Sequence, residues 1–311
     1  MLTEANTALT TECEQMSRIT VASICPLMGL SDPTRNMRTL ERWSRRAREA
    51  GADLVLFPEV FITGYGEDFM YASGYADRQR FLALAEALPG PSTDALAELS
   101  GDIGIYICAG LLEEQGGKRY NTQVMIDPSK GYVGRYRKVQ VGSGEAWFSE
   151  AGDDWPVFDV RGIPTGIMIC RDKSHPEVAR ILALEGAILL LAPHASTQRP
   201  DMGFTTWSLK ICAVRAMENG CFVIANNNIY DCPMNEERTQ AGYSFAIDPY
   251  GEVVHCDQGA GDVESMALIA VDSDVVRKRR AMEGPGFNLF TRRPEVYGRL
   301  VSRPAVPRQA Y

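Results

Sequence analysis

The sequence predicts an α/β fold on a parallel or mixed sheet, and three observations carry that expectation. Short, almost wholly apolar runs recur at residues 53–57, 187–191 and 221–225, the pattern of strands covered on both faces. Segments with helical spacing of apolar residues, such as 32–50 and 204–219, alternate with them. Three probable strands also end abruptly on a residue that can do chemistry: Glu59, Lys138 and Cys170. With 311 residues, 45% of them apolar, the chain can fill the core of one large domain.

In chain order, residues 1–17 are polar and read as a flexible extension before a domain at 18–283. Residues 19–24 alternate as a strand, 32–50 form an amphipathic helix closed by Gly51, and 53–57 form a buried strand running into Pro58-Glu59. A carboxylate directly after such a strand faces desolvation unless a neighbour uses it. Residues 81–100 read as two short helices separated by Pro89-Gly90-Pro91. Residues 103–112 and 120–127 read as a strand pair joined at Gly116-Gly117, and 132–137 as a third strand leading to Lys138. Gly142 and Gly144 follow, with Glu145 seven residues after the lysine; no long helix or third glycine supports a nucleotide loop there.

The central stretch is Pro164 to Arg180. An apolar run, 167–169, reads as a strand that stops at Cys170-Arg171-Asp172. Ser174, Pro176 and Glu177 then suggest a helix start, with Ser174 as N-cap and Glu177 closing a capping box. A thiol between a strand end and a helix N-terminus lies where loop amides are free to meet an anion. Downstream, residues 187–191 and 221–225 are buried strands, the second ending in Asn226-Asn227-Asn228. Further strands are expected at 244–248, 253–255 and 266–271. The tail, 284–311, is too rich in glycine and proline for a core of its own, and its Phe287, Leu289, Phe290, Val296 and Tyr297 are expected to be covered by the surface of a partner subunit.

Composition excludes several function classes. A net charge of −8 argues against a nucleic-acid surface, and the basic run Arg277 to Arg280 reads as the C-terminal end of a helix. Eight cysteines lie far apart with no metal-ligand spacing, so neither a metal nor a cofactor is expected. No run approaches the roughly 20 apolar residues of a membrane span, and the start lacks a signal-peptide core, so reduced thiols point to the cytoplasm.

Glu59, Lys138 and Cys170 make one chemically consistent set. A thiol attacks as thiolate, an adjacent ammonium stabilises both it and the oxyanion formed at a carbonyl, and a carboxylate can shuttle the protons. Histidine is not required; the chain has only His175, His194 and His255.

The order of these motifs resembles the nitrilase, or carbon–nitrogen hydrolase, superfamily over about residues 18–300. The resemblance rests on Leu54 to Glu59 with Gly64-Tyr65, on Tyr136-Arg137-Lys138 with Glu145, and on Gly166 to Cys170 with Asp172, Pro176-Glu177 and Arg180. Arg215 to Asn219, Ser244 to Gly251 and Arg292 to Gly298 are also similar. It implies a four-layer α-β-β-α sandwich with Glu59 as base, Lys138 as oxyanion stabiliser and Cys170 as nucleophile. It further implies a positioning role for Glu145, an oxyanion donor in the Arg171 amide, and subunits paired as homodimers. Arg171-Asp172 stands where nitrile-cleaving branches carry Trp-Glu, so the likeness leans towards amidases and carbamoylases acting on linear amides or N-carbamoyl compounds with release of ammonia. A nitrile hydrolase, an acyl transferase and a non-catalytic member are the alternatives. Gln140 stands where many of those branches have histidine. By likeness to D-amino-acid carbamoylases, Lys173 is expected to meet a substrate carboxylate, with Asn226 in the neighbouring loop as a further specificity residue.

Overall fold

Strand β1 (Arg18–Cys25) leads into helix α1 (Pro33–Glu49) through Asp32, whose side chain accepts from the Arg35 amide at 3.0 Å as an N-cap. Leu40, Trp43 and Ala47 turn inward at helical spacing, and Gly51 (φ 86°) takes the left-handed conformation that ends the helix. The first half continues with β2 (Leu54–Leu56), α2 (Tyr75–Leu82), α3 (Pro91–Ile103), β3 (Tyr106–Gln115), β4 (Lys118–Asp127) and β5 (Gly131–Arg137). The second half contains β6 (Val157–Val160), β7 (Ile163–Ile167), α4 (Pro176–Leu184), β8 (Leu189–His194), α5 (Phe204–Asn219) and β9 (Phe222–Asn227). It ends with β10 (Ser244–Ile247), β11 (Val253–Asp257), β12 (Ser265–Asp272), α6 (Ser273–Met282) and α7 (Gly298–Ser302). This computed structural model describes residues 17–64, 75–142, 144–196, 204–229, 242–257 and 263–302. The expected N-terminal extension, apart from Ser17, lies outside the described residues, as do Tyr65 and residues 303–311 of the tail.

The strands form two six-stranded sheets, ordered β12-β1-β2-β3-β4-β5 and β11-β10-β9-β8-β7-β6. In each, three parallel strands (β1, β2, β3; β7, β8, β9) sit within antiparallel flanks. Val21, Leu54, Leu56 and Tyr136 of the first sheet pack on Ile167, Leu189, Leu191 and Ile224 of the second. The first sheet's outer face is covered by Leu40 and Trp43 of α1 and Leu96 and Leu99 of α3. The second's is covered by Val178 and Leu182 of α4 and Cys212 and Ala216 of α5. The result is the four-layer α-β-β-α sandwich. Burying a side chain such as Leu56 or Leu189 contributes about 1.5–3 kcal/mol, so every layer boundary is strongly favoured. Asn226 ties the sheets together: its Nδ2 donates to the carbonyls of Ile24 (2.8 Å) and Leu56 (2.9 Å).

Four sequence expectations need correction. Ile103 ends α3 instead of starting a strand, because Gly104 closes the helix in the left-handed region (φ 69°) and Ser100 Oγ donates to the Ile105 carbonyl at 2.6 Å. The strand before Cys170 runs from Ile163 to Ile167, one partner of a hairpin with the unanticipated β6 whose turn is Arg161-Gly162, both with positive φ. Ser174 is not the cap of α4; His175 is, because residues Cys170–Ser174 form a 3-10 turn that absorbs the serine. Phe287 is fully buried in its own chain, pressed on Gly220 and 5.0 Å beneath the Arg279 guanidinium, so it is not part of an exposed tail patch. Leu289 likewise packs on the α4–α5 core, whereas Phe290 and Val296 remain exposed. The run after Asp272 behaves as expected: Asp272 caps α6, and Asp274 pairs with Arg277 and Lys278.

Candidate active site

Glu59 follows β2 after Phe57, whose amide still bonds to the Cys108 carbonyl at 2.8 Å, so the carboxylate is carried out from the middle of the first sheet. The chain turns sharply there: Val60, a β-branched residue, has φ 49°. Gly110 on β3 allows the turn, since a Cβ at that position would stand 2.3 Å from the Val60 nitrogen. Lys138 follows β5. Its amide donates to the Asn121 carbonyl at 2.9 Å, which extends the β4–β5 pairing and sets Lys138 beside Asn121. Glu145 comes from the loop after Lys138, where the Gly142 amide donates to its Oε2 at 2.8 Å; the glycine pair that superficially suggests a phosphate loop serves a carboxylate.

These groups form a closed polar network. Lys138 Nζ donates to Glu59 Oε1 (2.6 Å) and to both Glu145 oxygens (2.7 Å each). Asn121 Nδ2 donates to Glu59 Oε1 (2.7 Å) and Glu145 Oε1 (2.9 Å), and the Ala195 amide donates to Glu59 Oε2 (2.8 Å). All four side chains are buried. Burial pushes the Glu59 carboxyl above its ordinary value, against the pull of Lys138. Burial also works against the Lys138 ammonium, but Glu59 and Glu145 outweigh it and hold its pKa well above the usual value.

Cys170 lies past β7, where Ile169 is still extended and the cysteine itself takes φ 45°. Asp172 staples this turn. Its Oδ2 accepts from the Ile169 amide (2.9 Å) and the Tyr136 hydroxyl (2.8 Å), and its Oδ1 from the Gln140 amide (2.8 Å). Tyr136 and Gln140 flank Lys138, so one buried carboxylate fixes the lysine's strand end against the cysteine's. The Cys170 sulfur stands 3.3 Å from Ser196 Oγ. Burial and the charge of Glu59 push its thiol up to about 11, with Lys138 and Lys173 opposing the rise. A neutral thiol is therefore the resting form, and a base must take its proton as it attacks.

The remaining sequence candidates fall as follows. Lys173 is buried; its Nζ donates to the Cys170 carbonyl at 3.0 Å and lies 5.5 Å over the Trp207 ring. Arg171 is exposed beside the nucleophile. Asn226 stands near the end of β9, with its amide protons directed to the carbonyls of Ile24 and Leu56. His194 is buried with Nδ1 2.6 Å from the Ala192 carbonyl, and burial holds its pKa well below the ordinary value, so it is a neutral part of the frame. Asn121 and Ser196 were not singled out from sequence, and Asn227 entered only as part of the Asn226-Asn227-Asn228 run. For Asn121 a signal exists: Asn121 and Gln123 place amides two apart on one face of a strand otherwise buried and apolar towards its end. No group of three or more His, Cys, Asp or Glu among the described residues could hold a metal ion.

The family model described as carbon-nitrogen hydrolase matches residues 18–281. A nitrilase of Pyrococcus abyssi is 31% identical over 80% of this chain and 88% of its own. An N-carbamoylputrescine amidase of Solanum lycopersicum is 30% identical over 93% of this chain and 97% of its own. Among solved structures, a carbon-nitrogen hydrolase from Helicobacter pylori G27 superposes with a TM-score of 0.77 at 21% identity, covering 92% of this chain and 99% of its own. An amidase from Nesterenkonia sp. gives 0.68 at 24% identity, covering 91% and 96%.

Proposed function

The chain belongs to the carbon–nitrogen hydrolase family, and from that premise we propose that it hydrolyses a linear amide or N-carbamoyl compound, releasing ammonia through a thioester on Cys170. The observation that carries the reading is the Lys138 ammonium clamped by Glu59 and Glu145 at the strand ends that also present Cys170.

Each residue then has a step. Glu59 takes the Cys170 proton as the sulfur–carbon bond forms, and the resulting oxyanion is met by the Lys138 ammonium and the Arg171 amide. As the carbon–nitrogen bond breaks, Glu59 returns that proton to the departing ammonia. Water then attacks the thioester, Glu59 accepts its proton, and the thiolate leaves to be reprotonated. Glu145 holds the lysine in place throughout. Asn226, whose amide is committed to the two sheets, fixes the floor on which substrate rests. Lys173 is the cation in this wall that would answer a substrate carboxylate, at the cost of its bond to Cys170.

The likeness to a protein named nitrilase favours a second reading, in which the same groups hydrolyse a nitrile to a carboxylate and ammonia. One screen separates the two: ammonia release from N-carbamoyl amino acids, carbamoylated amines, ω-amides and nitriles, with Cys170→Ala as the blank. Release from amides or carbamoyl compounds by the native protein alone is expected. Nitriles as the only substrates would overturn the amide reading, and acyl transfer to hydroxylamine without hydrolysis would make it a transferase. Within the screen, a lower KM for N-carbamoyl amino acids than for carbamoylated amines, lost in Lys173→Ala, assigns the carboxylate to Lys173.

The same proposal makes the protein a homodimer. Leu184, Val214 and Met217 are exposed on α4 and α5, and Phe290, Leu300 and Val301 on the tail, apolar side chains that a second copy would cover. Light scattering at micromolar concentration should give twice the chain mass; a stable monomer would remove this part of the reading.

A further inference from the structure

The loop after β8 touches the site twice, and only one of those contacts is used above. The Ala195 amide holds Glu59 Oε2 at 2.8 Å. The next residue, Ser196, is 8% exposed and places its hydroxyl 3.3 Å from the Cys170 sulfur.

We propose that Ser196 is a further catalytic group of this site, its hydroxyl donating a hydrogen bond to the Cys170 sulfur as the thiolate forms. The proposal rests on the reading of Cys170 as nucleophile. Either partner can donate while the sulfur carries its proton. Once Glu59 has taken that proton the sulfur can only accept, so the Ser196 proton must point to it. In that step the sulfur–hydrogen bond breaks, its proton passes to Glu59 and the sulfur bonds the substrate carbon, while Ser196 keeps its own proton throughout.

Two features distinguish this hydroxyl from a chance neighbour. The first is its mounting. Asn227, at the end of β9, grips the main chain of Ser196 from both sides, Oδ1 accepting from its amide and Nδ2 donating to its carbonyl, each at 2.9 Å. β8 and β9 are paired in parallel up to His194 and Asn227, so the clamp continues a rigid ladder. The hydroxyl is thereby fixed against the sulfur by the dipeptide that also fixes the base. The second is need. Burial and the Glu59 charge oppose the Cys170 anion, and alongside the charges of Lys138 and Lys173 the Ser196 hydroxyl, 3.3 Å from the sulfur, offsets part of that cost by direct hydrogen bonding. Hydrogen bonds to charged groups are the strong ones in a dry site.

The test reads the thiol and not the reaction. Alkylation of Cys170 by iodoacetamide, followed by peptide mass spectrometry across pH, compares the native protein with Ser196→Ala and Ser196→Thr. In Ser196→Ala the Cys170 rate at neutral pH should fall about tenfold or more, with the rise in rate displaced to higher pH, while the circular dichroism spectrum stays native. Ser196→Thr, which keeps the hydroxyl, should recover most of the rate. An alkylation profile in Ser196→Ala that superposes on the native one overturns the proposal, and so does recovery in neither variant when both are folded. Because no substrate enters this assay, a failed ammonia screen would refute the reaction proposed above while leaving the alkylation result to decide this contact.

Discussion

The two sheets repeat one topology, yet they furnish the site in opposite ways. From the first sheet come Glu59, Asn121, Lys138 and Glu145, in which the lysine alone makes three short bonds and Glu59 accepts from three different donors. From the second comes Cys170, whose sulfur lies 3.3 Å from the Ser196 hydroxyl and whose backbone, not its side chain, is pinned by Asp172. Both sheets turn the corner with a strained left-handed residue, Val60 in one and Cys170 in the other. The difference follows from what each half must do. Groups that stabilise charge work best when held rigid beforehand, whereas a nucleophile must leave its resting contacts to form a bond. Topology places the strand ends together; the hydrogen-bond density on each end decides which is framework and which reacts.

Paired substitutions test that contrast at its widest. Cys170→Ala should abolish ammonia release and leave the melting temperature within a few degrees, because little is bonded to the side chain. Lys138→Ala should cost both activity and stability. It leaves Glu59 and Glu145 buried without their cation, and breaking such a pair typically costs about 3–5 kcal/mol. Adding Glu59→Gln to Lys138→Ala should restore part of that stability and none of the activity. Denaturant melts decide it: equal stability for Cys170→Ala and Lys138→Ala would mean that the first sheet's network is no more structural than the thiol.

How much of this was legible in sequence follows the same division. β2 and the strand run towards Cys170 stand out because apolar stretches stop abruptly at Glu59 and Cys170, and Lys138 follows a regular alternating strand. Glu145 entered only through the family likeness, since nothing local distinguishes it from a loop carboxylate. Asn121 and Ser196 were missed, and the clamp made by Asn227 was not foreseen, because their work is done across strands, through register that only the β4–β5 and β8–β9 pairings reveal. The Ser174 cap failed for a related reason: the local signature was present, but Asp172 bonding back to Ile169 and across to Tyr136 drew the chain into a tight turn first. The three consecutive asparagines, which look like a recognition loop, also serve the frame, since Asn226 and Asn227 each bond backbone on other elements.

The smallest effect is expected at Asp172, the staple between the halves. Burial lifts its carboxyl from 3.8 to about 6, with Lys138 pulling the other way and the Tyr136, Gln140 and Ile169 donors limiting the rise. A carboxyl raised by folding contributes its stability below the unfolded value and loses it as pH climbs through the folded one. Ionised Asp172 should therefore cost the native protein up to ~3 kcal/mol by pH 7 relative to pH 4, the worth of that shift. Asp172→Asn cannot ionise, and its amide nitrogen would face groups that donate, so the variant carries a roughly constant penalty from lost acceptors. Its stability deficit against the native protein should thus narrow between pH 4 and 7, and every other titration, that of Glu59 included, cancels in the difference. Activity should move the opposite way. At pH 7 the ionised staple holds three donors that set Lys138 against Cys170, so Asp172→Asn should lose kcat more than it raises KM. A deficit that is flat with pH would mean that Asp172 titrates in the fold as it does in the unfolded chain, its burial fully offset by Lys138 and the three donors, and the staple would then carry no pH-dependent share of the stability.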